Sequence, residues 1–408
     1  MTLCIISEGT YPYHVGGVST WTHALLEALP EVSVVLVPLY AGEDPGPPTW
    51  SLPPNVATVR PLQVPDSLAP ADVVPWCNRV APSLPPVDLV HSLTAGVAGR
   101  LGRALQAARN CPFLVTEHGV GWHELQQGAA ETETGIRPGA NARSCFAQQA
   151  VEQSVHHLRR HARAVYAAAD RIAAVAWSTQ QKQYALGADP ARCQVLPNGV
   201  LVPDLPPDPP RNSSIHVGLV GRVTPLKDIK TFLRACAQVQ AAHPGARFSV
   251  VGPPSDASYA AQCHTLADTL GLTDALTFVE DARAMTPWYE RFNAVALTSK
   301  SEAQPLALLE AMAHARPVVT TDVGDCRRLV TGPDDNVGLA GRVCSVGDAE
   351  EVGDALLTLA HSPARQYREG RAGWRRVRSH YRRGQMTSAY RRLYADLSSP
   401  DRFLASAA

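Results

Sequence analysis

The chain has 408 residues, and its 37 basic and 37 acidic side chains give a formal net charge of zero, which excludes a charge-driven partnership with nucleic acid as an overall property. A hydrophobic content of 45% and a mean hydropathy of -0.10 describe a globular protein, long enough for two cored domains. No run of about 18 apolar residues occurs, so a membrane-spanning helix is not expected.

Nine cysteines, an odd number with no C-x-x-C pair, argue against a disulfide framework or structural zinc and suit a reducing cytosol. The opening MTLCIISEGTYP has no basic segment and too short an apolar run for a signal peptide, so a cytoplasmic location is expected.

In chain order, Thr2 to Ser7 (TLCIIS) reads as a buried strand, EGTYPYHVGGVSTW as a loop and WTHALLEAL as a helix. A strand, a glycine-bearing loop and a helix can point backbone N–H groups at an anion. Gly16 or Gly17 would let the backbone approach a phosphate without an intervening Cβ. A plain βα turn reads the same letters, and the G-x-G-x-x-G spacing is absent. VSVVLVPLY is a second strand, PPNVATVRPL holds a third, and DLVHSLTAGVAGRLGRAL runs from strand to helix. NCPFLVTEHGVGW predicts a strand ending in Thr116-Glu117-His118-Gly119. The carboxyl end of a parallel strand is where ligands bind in α/β sheets, and His118 can donate or accept near neutral pH; a satisfied core histidine is the other reading. Helix over Ala147 to Ala169, strand, helix and CQVLPNGV close this half.

VPDLPPDPPRNSS is a linker by composition. VGLVG then ends in Arg222, with Lys227 before the next helix. Two cations at a strand's carboxyl end can clamp a diphosphate, Arg as a planar fork and Lys as a point charge; a solvated βα loop is the alternative. ARFSVVGPP repeats strand and glycine loop at Gly252. The stretch SKSEAQPLALLEAMAHARPVV reads as loop, helix and buried strand, with Pro305 suited to the first helical position. Glu302 precedes this helix and Glu310 lies about 8 Å along it from Pro305. A diphosphate at the helix tip would leave one carboxylate for a ribose and the other for a sugar; two solvated glutamates are the blander reading. From Arg365 to Arg392 the chain is arginine-rich, as a helix on anionic lipid or as a solvated helix packed by its apolar positions.

E-x7-E before an apolar helix followed by PVV, with G-R-V-x-P-x-K-D upstream, resembles the donor site of the family 4 retaining glycosyltransferases. The wording SEAQPLALLEAMA…RPVVTTDVGDCRRLV and the opening SEGTYPYHVGGVSTW are similar to the PelF-type branch, tied to exopolysaccharide synthesis. The resemblance implies a GT-B fold: two α/β, doubly wound Rossmann-like domains facing across a cleft. The corresponding segments are residues 1–203 on the acceptor side, 204–382 on the donor side and a closing segment 383–408 packed on the first domain. It implies that Arg222 and Lys227 neutralise the donor phosphates, Glu302 contacts the hexose and Glu310 holds the ribose. Backbone groups of Ala303, Gln304, Pro305 and Leu306 would contact sugar and phosphate, although the family usually has Gly where Ala303 stands. His118 would orient substrate, Gly16 and Gly17 would line the cleft, Gly252 the nucleotide cleft, and Phe278 to Asp281 would cradle the base. Pro197-Asn198-Gly199 matches the family's element before the linker.

The implied reaction moves a hexose from a nucleotide-diphosphate sugar, first of all a UDP-sugar, to a hydroxyl acceptor with retention. No metal and no separate cofactor is expected, and no D-x-D motif stands in a donor-site position. The implied partners are the donor, an acceptor that is a growing polysaccharide, a lipid or a small molecule, and peripherally a membrane synthase complex. Two other readings stay open: a family 4 transferase with a lipid or small-molecule acceptor, and a catalytically silent GT-B subunit that binds nucleotide-sugar. PelF-type chains carry extra sequence in the first domain, so the likeness is strongest on the donor side.

Overall fold

A computed structural model of the chain describes residues 1–9, 11–65, 71–127, 147–210, 214–282 and 284–399. It divides into two compact units, Met1–Pro197 with Met386–Ala408, and Asn198–Gln385.

The first unit runs β1 (Thr2–Glu8), α1 (Gly17–Glu27), β2 (Ser33–Tyr40), β3 (Val56–Val59), β4 (Leu62–Gln63), α2 (Val73–Val80), β5 (Leu89–Ser92), α3 (Val97–Arg109), β6 (Phe113–Glu117), α4 (Gly121–Gln126), α5 (Ala147–Ala168), β7 (Arg171–Ala174), α6 (Trp177–Ala185) and β8 (Cys193–Val195). The second runs β9 (His216–Val220), α7 (Ile229–Ala242), β10 (Arg247–Val251), α8 (Ala257–Thr269), β11 (Leu276–Val279), α9 (Thr286–Arg291), β12 (Ala294–Leu297), α10 (Leu306–Ala313), β13 (Val318–Thr321), α11 (Cys326–Thr331), β14 (Gly341–Cys344), α12 (Ala349–Ala360) and α13 (Pro363–His380). The last helix, α14 (Arg383–Ser398), packs into the core of the first unit, where Tyr390, Leu393 and Tyr394 meet Leu3, Ile5 and Trp21.

Strands such as β1 and β12 are apolar on both faces, as strands covered by helices on both sides must be. All pairings are parallel. In the first sheet the order is β3-β2-β1-β5-β6-β7-β8, with β4 off β2; in the second it is β11-β10-β9-β12-β13-β14. Cys4 lies opposite Val35 on one side and Val90 on the other, and Leu219 lies opposite Val250 and Ala296. In each sheet the chain winds outward one way and then the other, so the strand order reverses between β1 and β5 and between β9 and β12. The crevice at the carboxyl ends of such strands is where an open α/β sheet takes ligands.

Two expectations shift, and one of two open readings gains support. Glu8 belongs to β1 and is only 4% exposed, so it is no loop residue. The first helix starts at Gly17, four residues before Trp21. The arginine-rich stretch is structural in part: Arg376 is 1% exposed, pairs with Asp335 at 2.7 Å and donates to the carbonyls of Leu329 and Val330, both at 2.8 Å. A guanidinium holding a helix end in this way cannot face lipid. The eight described cysteines are free thiols, and Cys145 lies outside the described residues. No described helix is long and apolar enough to cross a membrane.

Candidate functional site

In the second unit the predicted cations stand where strand β9 ends. Arg222 stands two residues past the strand, after Gly221, and is partly buried. Lys227 closes a short turn and its ammonium donates to Glu302 Oε1 at 2.6 Å. That turn is fixed by its neighbours. Thr298 Oγ1 donates to the carbonyls of Lys227 at 3.1 Å and Asp228 at 3.0 Å, and Lys300 N donates to the Leu226 carbonyl at 2.8 Å. Loops from β9 and β12 are therefore stitched together at the point of strand-order reversal.

Glu302 is 7% exposed, and Ser299 Oγ also donates to its Oε1 at 2.6 Å. A buried carboxylate that holds charge-assisted hydrogen bonds is fixed in orientation. The loop behind it is held from below: Asp325 N donates to the Ala303 carbonyl at 2.8 Å, and Thr321 Oγ1 to the Ser299 carbonyl at 2.6 Å. Gly324, at φ +53, lies so close that a Cβ would stand 2.3 Å from the Glu302 carbonyl oxygen. Ala303 does not carry a positive φ, so alanine fits where the family pattern has glycine.

Helix α10 begins at Leu306, with Pro305 just outside it at φ -70, ψ 122. Proline is thus the flanking residue and not the first helical one; either place spares a hydrogen bond that proline cannot donate. The helix N-terminus faces the loop that holds Glu302, and its free N–H groups suit an anion. Glu310 lies further along and accepts from Tyr289 Oη at 2.8 Å. Burial raises the Glu310 pKa, and the Tyr289 hydrogen bond works against that rise. Gln304 turns its side chain away from this role: its Oε1 accepts from Asn198 N at 2.7 Å, and its carbonyl from Asn198 Nδ2 at 2.9 Å. Gly252, at φ +150, packs on the strand end beside it, where a Cβ would stand 2.2 Å from the Gly221 carbonyl oxygen.

The remaining predicted residues belong to the first unit. His118 follows β6, is 6% exposed, and lies edge-on to Trp21 with ring centroids 4.4 Å apart. Burial pushes its pKa down to about 3, so the ring is neutral, and its Nε2 has no hydrogen-bond partner among the described residues. Gly16 precedes α1 with extended backbone at φ 176, and nothing lies within 4 Å of where its Cβ would be; Gly17 is exposed. Among the predicted residues, Lys227 and Glu302 are in direct contact, whereas Glu310 is engaged with Tyr289.

Sequence reading missed three partners. Ser299 was signalled by its place three residues before Glu302. Asn198 was read as a boundary turn and instead ties down the loop at Gln304. Tyr289, 21 residues from Glu310, gave no local signal. No group of three or more metal-ligating side chains occurs among the described residues.

Residues 214–362 match the family model described as Glycosyl transferases group 1. Residues 1–76 and 71–191 match a domain of unknown function (DUF3492). A D-inositol 3-phosphate glycosyltransferase 2 of Catenulispora acidiphila is 29% identical over 299 residues, 68% of this chain and 64% of that protein. The D-inositol 3-phosphate glycosyltransferase of Mycobacterium avium is 33% identical over 190 residues, 43% of each chain. The chain thus spans less than two thirds of the length of either relative. Among solved structures, sucrose-phosphate synthase of Thermosynechococcus elongatus superposes with a TM-score of 0.77 at 20% identity, covering 97% of this chain and 98% of that one. Anabaena HepE, in complex with UDP-glucose, gives 0.71 at 15% identity, covering 97% and 100%. These likenesses establish the fold alone: two Rossmann-like α/β units of parallel sheet, the GT-B arrangement of elements.

Proposed function

We propose that the chain transfers a hexose from a UDP-sugar to a hydroxyl acceptor, with retention at the anomeric carbon and without a metal. The observation that carries this reading is the Lys227–Glu302 pair at 2.6 Å, with Lys227 five residues after Arg222 and Glu302 four before α10, in a region that matches group 1. A diphosphate at the tip of α10 would meet Arg222, Lys227 and free backbone N–H groups, which together stabilise the charge that grows on the leaving group. Protein cations at that place do the work a metal does in other transferases. Glu302, fixed by Lys227 and Ser299, would receive hydroxyls of the hexose, and Glu310, steadied by Tyr289, those of the ribose. Attack on the same face, with the leaving phosphate taking the acceptor's proton, needs no covalent nucleophile. UDP is favoured as carrier by the fold shared with HepE, a protein seen with UDP-glucose.

The acceptor has two readings. The opening SEGTYPYHVGGVSTW favours a growing exopolysaccharide, made in the cytoplasm beside a membrane synthase. The relatives named D-inositol 3-phosphate glycosyltransferases favour a small polyol. Calorimetric titration with UDP, GDP and ADP and their glucose conjugates, with and without added divalent metal, tests the donor side. Selective UDP binding that needs no metal and is lost in an Arg222→Ala, Lys227→Ala double variant is expected. Binding that requires metal, or that survives the double variant, would overturn it. The anomeric configuration of the product, read by NMR, tests retention.

A further inference from the structure

At the strand-order reversal of the first unit, between β1 and β5, a small recess opens on the carboxyl ends of the strands. Glu8, Thr94, Gly96, Glu117 and Trp122 line it, and its other lining residues are uncharged. Its volume is about 30 Å³, room for at least one water molecule, and it is open on one side.

The chemistry of the lining is one-sided. Glu8 is 4% exposed, and its Oε1 accepts from Ala98 N at 2.6 Å at the start of α3. A helix N-terminus at a switch point is an anion slot, and here the chain's own carboxylate already fills it. Gly96 makes the room, since a Cβ there would stand 2.7 Å from Glu8 Oε1. Glu117, 3% exposed, accepts from Tyr166 Oη and from Gln183 Nε2, the latter at 3.2 Å. Burial raises both carboxyls, Glu8 to about 7. Each carboxylate has about four lone-pair sites, so acceptor capacity remains. Trp122 supplies an indole Nε1 that is shut off from solvent and has no hydrogen-bond partner among the described residues. Two cations act nearby without lining the recess: Arg159 stacks on the Trp122 ring at 5.0 Å, and Lys182 bears electrostatically on Glu117.

We infer that this recess receives a hydrogen-bond-donating group of the acceptor, a hydroxyl or a primary ammonium, and that it turns away a phosphate at that position. Charge acts in this sense. A phosphate would face two carboxylates at a helix N-terminus that the chain's own Glu8 already occupies. The inference rests on the proposed transfer to a hydroxyl acceptor and narrows its substrate class. It sets this chain apart from relatives named for an inositol phosphate.

The test uses the full chain with saturating UDP and ligand-observed saturation-transfer NMR. The probes are myo-inositol against inositol 3-phosphate, glucose against glucose 6-phosphate, and glucosamine. The unphosphorylated probes should bind at least about tenfold more tightly than their phosphates. Glu8→Gln, which keeps the shape and the bond from Ala98, should narrow that ratio about fivefold or more. Trp122→Phe should weaken the polyols without changing the ratio. Phosphates that bind as tightly as the parents, a ratio indifferent to Glu8→Gln, or no binding by any probe would overturn the inference. Calorimetric UDP binding separates the failures: if UDP binds and the probes do not, the recess assignment falls and the donor reading stands.

Discussion

The Lys227 ammonium and Glu302 Oε1 lie 2.6 Å apart, with side chains only 13% and 3% exposed. A pair so buried is costly to break from one side, because the survivor keeps its desolvation penalty. Lys227→Met should therefore destabilise the chain by about 3 kcal/mol. The Lys227→Met, Glu302→Gln double variant should recover part of that loss, which urea unfolding of the wild type, both single variants and the double variant would measure as a coupling.

The close approach of Gly324 to the Glu302 carbonyl predicts a loss that is local to the site. Gly324→Ala should reduce UDP affinity at least about tenfold, because the loop at Glu302 and Ala303 must move. Gly271→Ala is the control: it shares a positive φ, at +70, but nothing lies within 4 Å of its Cβ. It should cost about 1 kcal/mol of stability and leave UDP affinity unchanged.

Tyr289 tests whether Glu310 needs its support. Tyr289→Phe removes the 2.8 Å hydrogen bond and little else. A loss of about 1 kcal/mol in stability is expected, together with a roughly fivefold weaker UDP complex. Calorimetry with UDP and with inorganic pyrophosphate, which has no ribose, would check this: the loss should appear with UDP and not with pyrophosphate.

Acid should unsettle the first unit through His118. Burial holds it neutral, with a pKa near 3 against 6.5 for the free side chain. The unfolded chain therefore binds more protons between those values, and stability falls as pH drops below 6.5. Glu8 runs the other way: raised to about 7 from 4.5, it favours the folded state at low pH and costs stability as pH rises through that window. From pH 6.5 to 5.5 the wild type should lose about 1 kcal/mol more than a His118→Gln variant. Equal losses in the two proteins would mean that His118 is charged or exposed in the folded state.

Much of this protein was legible from local pattern. Apolar runs such as TLCIIS and AVAL must be buried on both faces, and their alternation with helices admits parallel sheets and little else. Arg222, Lys227, Glu302 and Glu310 could be picked out because G-R-V-x-P-x-K-D and E-x7-E resemble a donor-site pattern, whereas their placement alone reads equally as solvated loop and helix charges. What pairs with what was decided by the tertiary structure. Lys227 and Glu302 are 75 residues apart, Asn198 and Gln304 106, and Glu8 and Ala98 90. Such contacts exist only once non-consecutive strands are laid side by side, as β9 is with β12 and β1 with β5. Sequence pattern reports the period of one element; a buried carboxylate's partner depends on the register between elements, which the packing of both sheet faces sets together.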